Sequence, residues 1–137
     1  MKTEIKIQHA QLKDLARLHD FIEAACEQVG TDENVSYAVR LAVEEVCTNI
    51  IKHGYKGMSP GPIALTFQAD HKQITITIAD RARSFSPDNA PSPNLSADWS
   101  ERQIGGLGWH LVKHMMDRVL HAPNPGGGNI VTLIKKF

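Results

Sequence analysis

Along "TEIKIQH" polar and apolar residues alternate with period two, predicting a short strand over Thr3–His9. In "LKDLARLHDFIEAAC" the spacing lengthens: Leu12, Leu15, Leu18, Phe21, Ile22 and Ala25 recur at helical intervals, so an amphipathic helix follows. Gly30 fits its end. Thr31 is placed to cap a second helix with Asp32 and Glu33 in its first turn, where negative charge suits the helix dipole. That helix is expected to run to about His53, with Gly54 just past its end. "GPIALTFQAD" and "KQITITIAD" predict a hairpin turning near Asp70 and His71. "RARSFSPDNAPSPNLSADWSERQIGG" has no period and is rich in Ser, Pro, Asn and Asp; so long a loop in a compact domain is functional or disordered. "LGWHLVKHMMDRV" restores helical spacing, and "GGGNIVTLIKKF" reads as a turn and a closing strand. The order β-α-α-β-β-loop-α-β predicts an α+β fold, a two-layer sandwich with helices on one face of a mostly antiparallel sheet.

On the second helix Val35, Ala38, Val39, Ala42, Val46 and Ile50 form one apolar arc. Asn49 and His53 fall inside that arc and Glu45 on its border, spaced i, i+4, i+8, so the three share one side of the helix. A buried amide or carboxylate without partners costs about 1–3 kcal/mol. Something must satisfy them: neighbouring protein groups, water at an open edge, or a ligand in a cleft. Two further clusters raise the same choice. Asp80 ends the regular strand "ITITIAD", as a turn residue or as a site residue. "GGLG", Gly105 to Gly108, precedes an apolar helix, where it is either a hinge or a place for backbone N–H groups to converge on an anion. No Lys-Ser/Thr follows it and no strand precedes it, which excludes a Walker A loop and a Rossmann fingerprint.

Charge narrows the partners. Lys plus Arg equals Asp plus Glu at 15 each, without a basic stripe, arguing against a nucleic-acid footprint built on phosphate neutralisation. No segment nears the roughly 18 apolar residues of a membrane span, and the N-terminus lacks a signal-peptide core. Cys26 and Cys47 lie in helix-like segments and read as buried thiols of a reducing compartment, the cytoplasm by default. At 137 residues a single domain is expected over 1–137.

Taken in order, Glu-x-x-x-Asn-x-x-x-His on a helix, Asp at a strand end, a long polar loop and Gly-Gly-x-Gly before a helix resemble the GHKL ATPase superfamily. That group shares the Bergerat fold and includes Hsp90, DNA gyrase B, MutL and histidine kinases. "AVEEVCTNIIKHGY" is most similar to its anti-sigma-factor serine/threonine protein kinase branch, the RsbW/SpoIIAB-like proteins.

The resemblance implies ATP and Mg²⁺ as cofactors. Asn49 would ligate the metal, an amide oxygen suiting a hard cation. Glu45 would be the general base for the attacking hydroxyl; its neighbour Glu44 lies by helix geometry well away from Asn49. His53 would sit near the nucleotide, and Asp80 would accept a hydrogen bond from the adenine amino group. Gly105, Gly106, Leu107 and Gly108 would wrap the phosphates, with residues 86–104 as the ATP lid. Two positions depart from the family pattern at the adenine end. Ala82 stands where Asp-x-Gly has its glycine, costing about 1 kcal/mol if the backbone needs positive φ and otherwise only narrowing the pocket. Asn129 stands where the closing strand has Thr, and can still hydrogen-bond with another reach.

The implied function is an ATP-dependent kinase that phosphorylates a serine of a STAS-type anti-sigma antagonist. A sigma factor is an implied second partner in a switch, and a homodimer is among the implied assemblies. The alternative is a non-catalytic GHKL-fold module that binds nucleotide or a partner. Remaining motifs read plainly. His110 and His114 form a surface pair, because Leu111 replaces the Glu of a zinc protease. Ser84 and Ser86 are loop serines, and Trp99 and Trp109 pack the lid, with Trp99 a partner anchor if exposed.

Overall fold

Ile63, Leu65 and Phe67 are buried while Ala64, Thr66 and Gln68 between them stay partly exposed, and Ile74, Ile76 and Ile78 repeat the pattern on the next strand. One set of alternating side chains therefore faces helices and the other faces away. The computed structural model describes residues 1–85 and 106–137. Its sheet comprises β1 (Lys2–Ile7), β2 (Ile63–Ala69), β3 (Gln73–Asp80), β4 (Arg118–Pro123) and β5 (Asn129–Lys136). The strand order is β1-β2-β3-β5-β4, with every pairing antiparallel. Helices α1 (Leu15–Val29), α2 (Glu33–Asn49) and α3 (Gly106–Met115) complete the α+β sandwich.

The core lies between the layers, where Leu18, Ile22, Val39, Val46 and Ile50 meet Phe67, Ile76 and Leu133. Each such side chain contributes about 1.5–3 kcal/mol on burial. Asp80, at the end of β3, pairs with Ile63 of β2 at the edge of this core.

Several expected boundaries move. The first strand is Lys2–Ile7 rather than Thr3–His9. Asp32 caps α2 in place of Thr31, its Oδ1 accepting from Val35 N–H at 2.9 Å; a carboxylate one residue closer reaches the free amide better. Gly30 ends α1 with φ of 81°, as its position suggested. The α-helical ladder of α2 stops at Asn49, and Ile50–Gly54 continue as one π-helical turn. Single π turns of this kind are frequent at functional sites. Asp70 Oδ1 holds the β2–β3 turn by accepting from Lys72 and Gln73 N–H at 2.7 and 3.0 Å.

One strand was not anticipated. α3 ends at Met115, and Arg118–Pro123 pairs with β5. His, Ala and Pro mask its period, although Val119 and His121 are less exposed than their neighbours Arg118, Leu120 and Ala122.

Among the described residues no helix is long and apolar enough to cross a membrane. The lid residues 86–104, with Ser86 and Trp99, and Gly105 lie outside the described residues.

Candidate functional site

A cleft of about 400 Å³ opens beside the C-terminal end of α2. Asn49, Ile50, His53 and Gly54 form one wall; Asp80, Ala82 and Asn129 form the floor, and Phe85 and Trp109 form an apolar side. The π turn matters here, because its wider winding swings His53 and Gly54 along the cleft mouth. His53 is exposed there.

Asp80 is 1% exposed. Its Oδ1 accepts from Ala82 N–H at 2.8 Å and from Asn129 Nδ2 at 3.1 Å. Its Oδ2 is buried with no partner. Burial pushes this carboxyl above its ordinary value, and the bonds from Ala82 and Asn129 oppose the shift. An anion with one bare oxygen is expensive to bury unless a donor is to arrive.

Three contacts fix the strand end that carries Asp80. Tyr55 reaches from beyond α2, donating to Pro62 C=O at 2.7 Å and accepting from Arg81 N–H at 2.9 Å. Asn124 Nδ2 donates to Asp80 C=O at 2.9 Å. Gly128, with φ of 104°, lets the β4–β5 turn approach so closely that a Cβ there would fall 2.0 Å from the Asp80 carbonyl oxygen.

Asn49 is half-buried, and its Nδ2 is also buried without a partner. Glu45 lies one turn earlier, not in the cleft lining itself, facing the first turn of α3. A Cβ on Gly108 would lie 3.0 Å from Glu45 Oε2 and 3.5 Å from Asn49 Nδ2, so glycine keeps open the space where these groups face α3. Burial raises the Glu45 carboxyl, Glu44 adds to the rise and Lys52 opposes it. Glu44 itself is exposed. Gly106 and Leu107 form the first turn of α3 with Gly108. His110 and His114 are exposed on the same helix.

Ala82 shows no positive φ, so the glycine of the family pattern is not needed there for its backbone. Its methyl packs against Gly54 instead: a Cβ built on Gly54 would come within 2.8 Å of it. Asn129 is fully buried and binds protein on all sides. Its Oδ1 accepts from Phe85 N–H at 3.0 Å and faces His121 Nε2 at 2.8 Å, while Nδ2 donates to Asp80 and to Arg83 C=O at 2.8 Å. Sequence reasoning missed Tyr55, Phe85 and His121, and it placed Gly54 past the helix end and Gly128 before the closing strand without the contacts they make. Their signal is pairwise: Gly54 against Ala82, Tyr55 against Gly61, His121 against Asn129.

An acidic group at a strand end and an amide on a helix thus line one cleft, with a glycine at the start of α3 next to the amide. Residues 9–135 match the family model for the histidine kinase-like ATPase domain, and the chain belongs to that GHKL-type family. Among curated proteins it is similar to serine/threonine-protein kinase BtrW of Bordetella bronchiseptica, 27% identical across 69% of this chain and 66% of that protein. It is similar to an anti-sigma F factor of Pasteuria penetrans, 28% identical across 72% of this chain and 67% of that protein. To serine-protein kinase RsbW of Bacillus subtilis it is 30% identical, across 59% of this chain and 53% of that protein. The matches thus span from about half to two thirds of these relatives' lengths. The resemblance to the anti-sigma-factor kinase branch is borne out by these relatives. A crystal structure of the RsbU and RsbW domains of a Mycobacterium tuberculosis protein shares the fold, with a TM-score of 0.66 at 15% identity, covering 97% of this chain and 32% of that one.

Proposed function

We propose that the chain is an ATP-dependent serine/threonine protein kinase and anti-sigma regulatory factor. Its substrate in this reading is a serine of a STAS-type anti-sigma antagonist, and a sigma factor is its second partner. One observation carries the nucleotide part: Asp80 and Asn49 line the same cleft, and each keeps one buried side-chain atom without a partner, Oδ2 and Nδ2. A purine amino group fits the first as a donor to an anionic acceptor.

Asn49 would hold Mg²⁺ through its amide oxygen, since a hard cation favours oxygen ligands. That ion, when bound, supplies charge neutralisation on the phosphates. Glu45 orients the attacking serine hydroxyl and takes its proton; its raised carboxyl makes it a better acceptor than an exposed glutamate. Gly108 leaves room at the start of α3, whose first N–H groups suit phosphate. Phe85 and Trp109, with ring centroids 5.2 Å apart, cover the apolar face of the base.

The test is incubation with labelled ATP, Mg²⁺ and a STAS protein encoded beside this chain. Transfer to a serine of that protein is expected, and Glu45→Ala should keep nucleotide binding while losing transfer by roughly 10²–10⁴. Mg-dependent ATP binding with no transfer to any candidate would favour the non-catalytic module instead.

A further inference from the structure

His121 lies on β4, a strand the sequence did not announce, and it does not line the cleft. Yet it touches two groups that do. Its Nε2 lies 2.8 Å from Asn129 Oδ1, and its ring lies 5.4 Å from that of Phe85.

The Asn129 amide has four hydrogen-bonding places, and all four are filled. Phe85 N–H donates to Oδ1; Asp80 Oδ1 and Arg83 C=O accept from Nδ2. The amide orientation is therefore fixed by chemistry, because a flip would set its NH₂ against the Phe85 N–H and its oxygen against a carboxylate. His121 Nε2 must then carry a proton and donate. Asp80, which lines the cleft, in turn has Oδ1 occupied by Ala82 N–H and Asn129 Nδ2, which leaves Oδ2 as its one unpartnered oxygen, buried at the cleft floor.

We propose that His121 is a positioning residue for base recognition, acting through Asn129 to present a single free oxygen of Asp80 to an amino group on the bound purine. The proposal rests on the cleft being a purine-nucleotide site. The His121 donor biases Asn129, Asn129 biases Asp80, and the ring of His121 packs on Phe85, which in turn packs on Trp109. A threonine at 129 could not bridge the same four partners, having one donor and two acceptor places.

The experiment compares binding of ATP with that of purine riboside triphosphate, which lacks the 6-amino group, by calorimetry on wild type, His121→Phe and His121→Gln. A hydrogen bond to a charged acceptor makes wild type prefer ATP by about 10- to 100-fold. His121→Phe keeps an aromatic ring against Phe85 but loses the donor, so the preference should fall to within about threefold while the analogue binds as before. His121→Gln restores a donor and should recover most of the preference. An unchanged preference in His121→Phe overturns the proposal, as does an equal loss for both nucleotides, which marks a merely structural role.

A second readout does not depend on nucleotide. The two Asn129 side-chain NH₂ protons, followed by NMR in the free protein, should exchange slowly with water in wild type and His121→Gln, and faster in His121→Phe. Equal protection in all three overturns the positioning claim. Wild type that binds neither nucleotide overturns the cleft reading and the base-recognition step with it, and slow exchange lost in His121→Phe would then locate the failure there and not in the His121–Asn129 link.

Discussion

The Ala82 methyl occupies the space that a side chain at position 54 would need, so Gly54→Ala measures how tightly the cleft floor is locked to α2. A Cβ on Gly54 would lie 2.8 Å from the Ala82 Cβ, whereas nonbonded carbons rest at about 3.5–4.0 Å. Rotation offers no escape, because both groups are methyls fixed to the backbone. Sliding is resisted too: Ala82 N–H donates to Asp80 Oδ1 at 2.8 Å, and Arg83 N–H to the Gly54 carbonyl at 3.3 Å. Overpacking of this kind costs about 1–3 kcal/mol. Ala82→Gly alone removes a buried methyl, about 0.8 kcal/mol, and frees the unfolded chain by about 0.4–1 kcal/mol more. In the double variant the methyl moves from one side of the contact to the other and the clash disappears. Urea unfolding of the four proteins closes the cycle. The double variant should be more stable than the summed single losses allow by about 1–2 kcal/mol. Losses that add to within about 0.5 kcal/mol, as for independent sites, would refute the steric lock.

Asp80→Asn should raise the melting temperature of the free protein at neutral pH. The carboxyl's folded pKa is raised by burial above its ordinary 3.8, so its contribution is intact below that value and is lost as pH rises through the folded pKa. The gain from Asn should therefore shrink on acidification below pH 3.8, and a gain that grows there contradicts the assignment. Gly128→Ala sets a Cβ 2.0 Å from the Asp80 carbonyl oxygen at φ of 104°; a loss of about 3 kcal/mol or more is expected in denaturant, and near-wild-type stability is incompatible with the close turn. Burial pushes the Cys47 thiol up to about 12 and raises that of Cys26, so neither should react with a thiol reagent at pH 8 until the protein is unfolded. For the proposed base, phosphotransfer should rise with pH through a Glu45 pKa above the ordinary 4.5; a rate already level at pH 4.5 would remove Glu45 from that role.

The amino-acid order alone determined the period of each long element. Alternating isoleucines can only bury one face of a strand, and Val35 to Ile50 can only bury one side of a helix, so the sandwich was legible. The ladder Glu45, Asn49, His53 was legible too, because a polar residue on an apolar arc breaks a local rule that one turn of helix is enough to reveal. What the chain order could not supply were relations between residues distant along it. Ala82 is a departure from a pattern until it meets Gly54, and Asn129 is merely polar until His121, Phe85, Arg83 and Asp80 enclose it. β4 escaped notice because its side chains are ordinary and its pairing with β5 is what makes it a strand. Local periodicity is a property of neighbours, but the filling of a hydrogen bond or a methyl-sized space depends on two surfaces meeting, and only the packed tertiary structure brings those surfaces together.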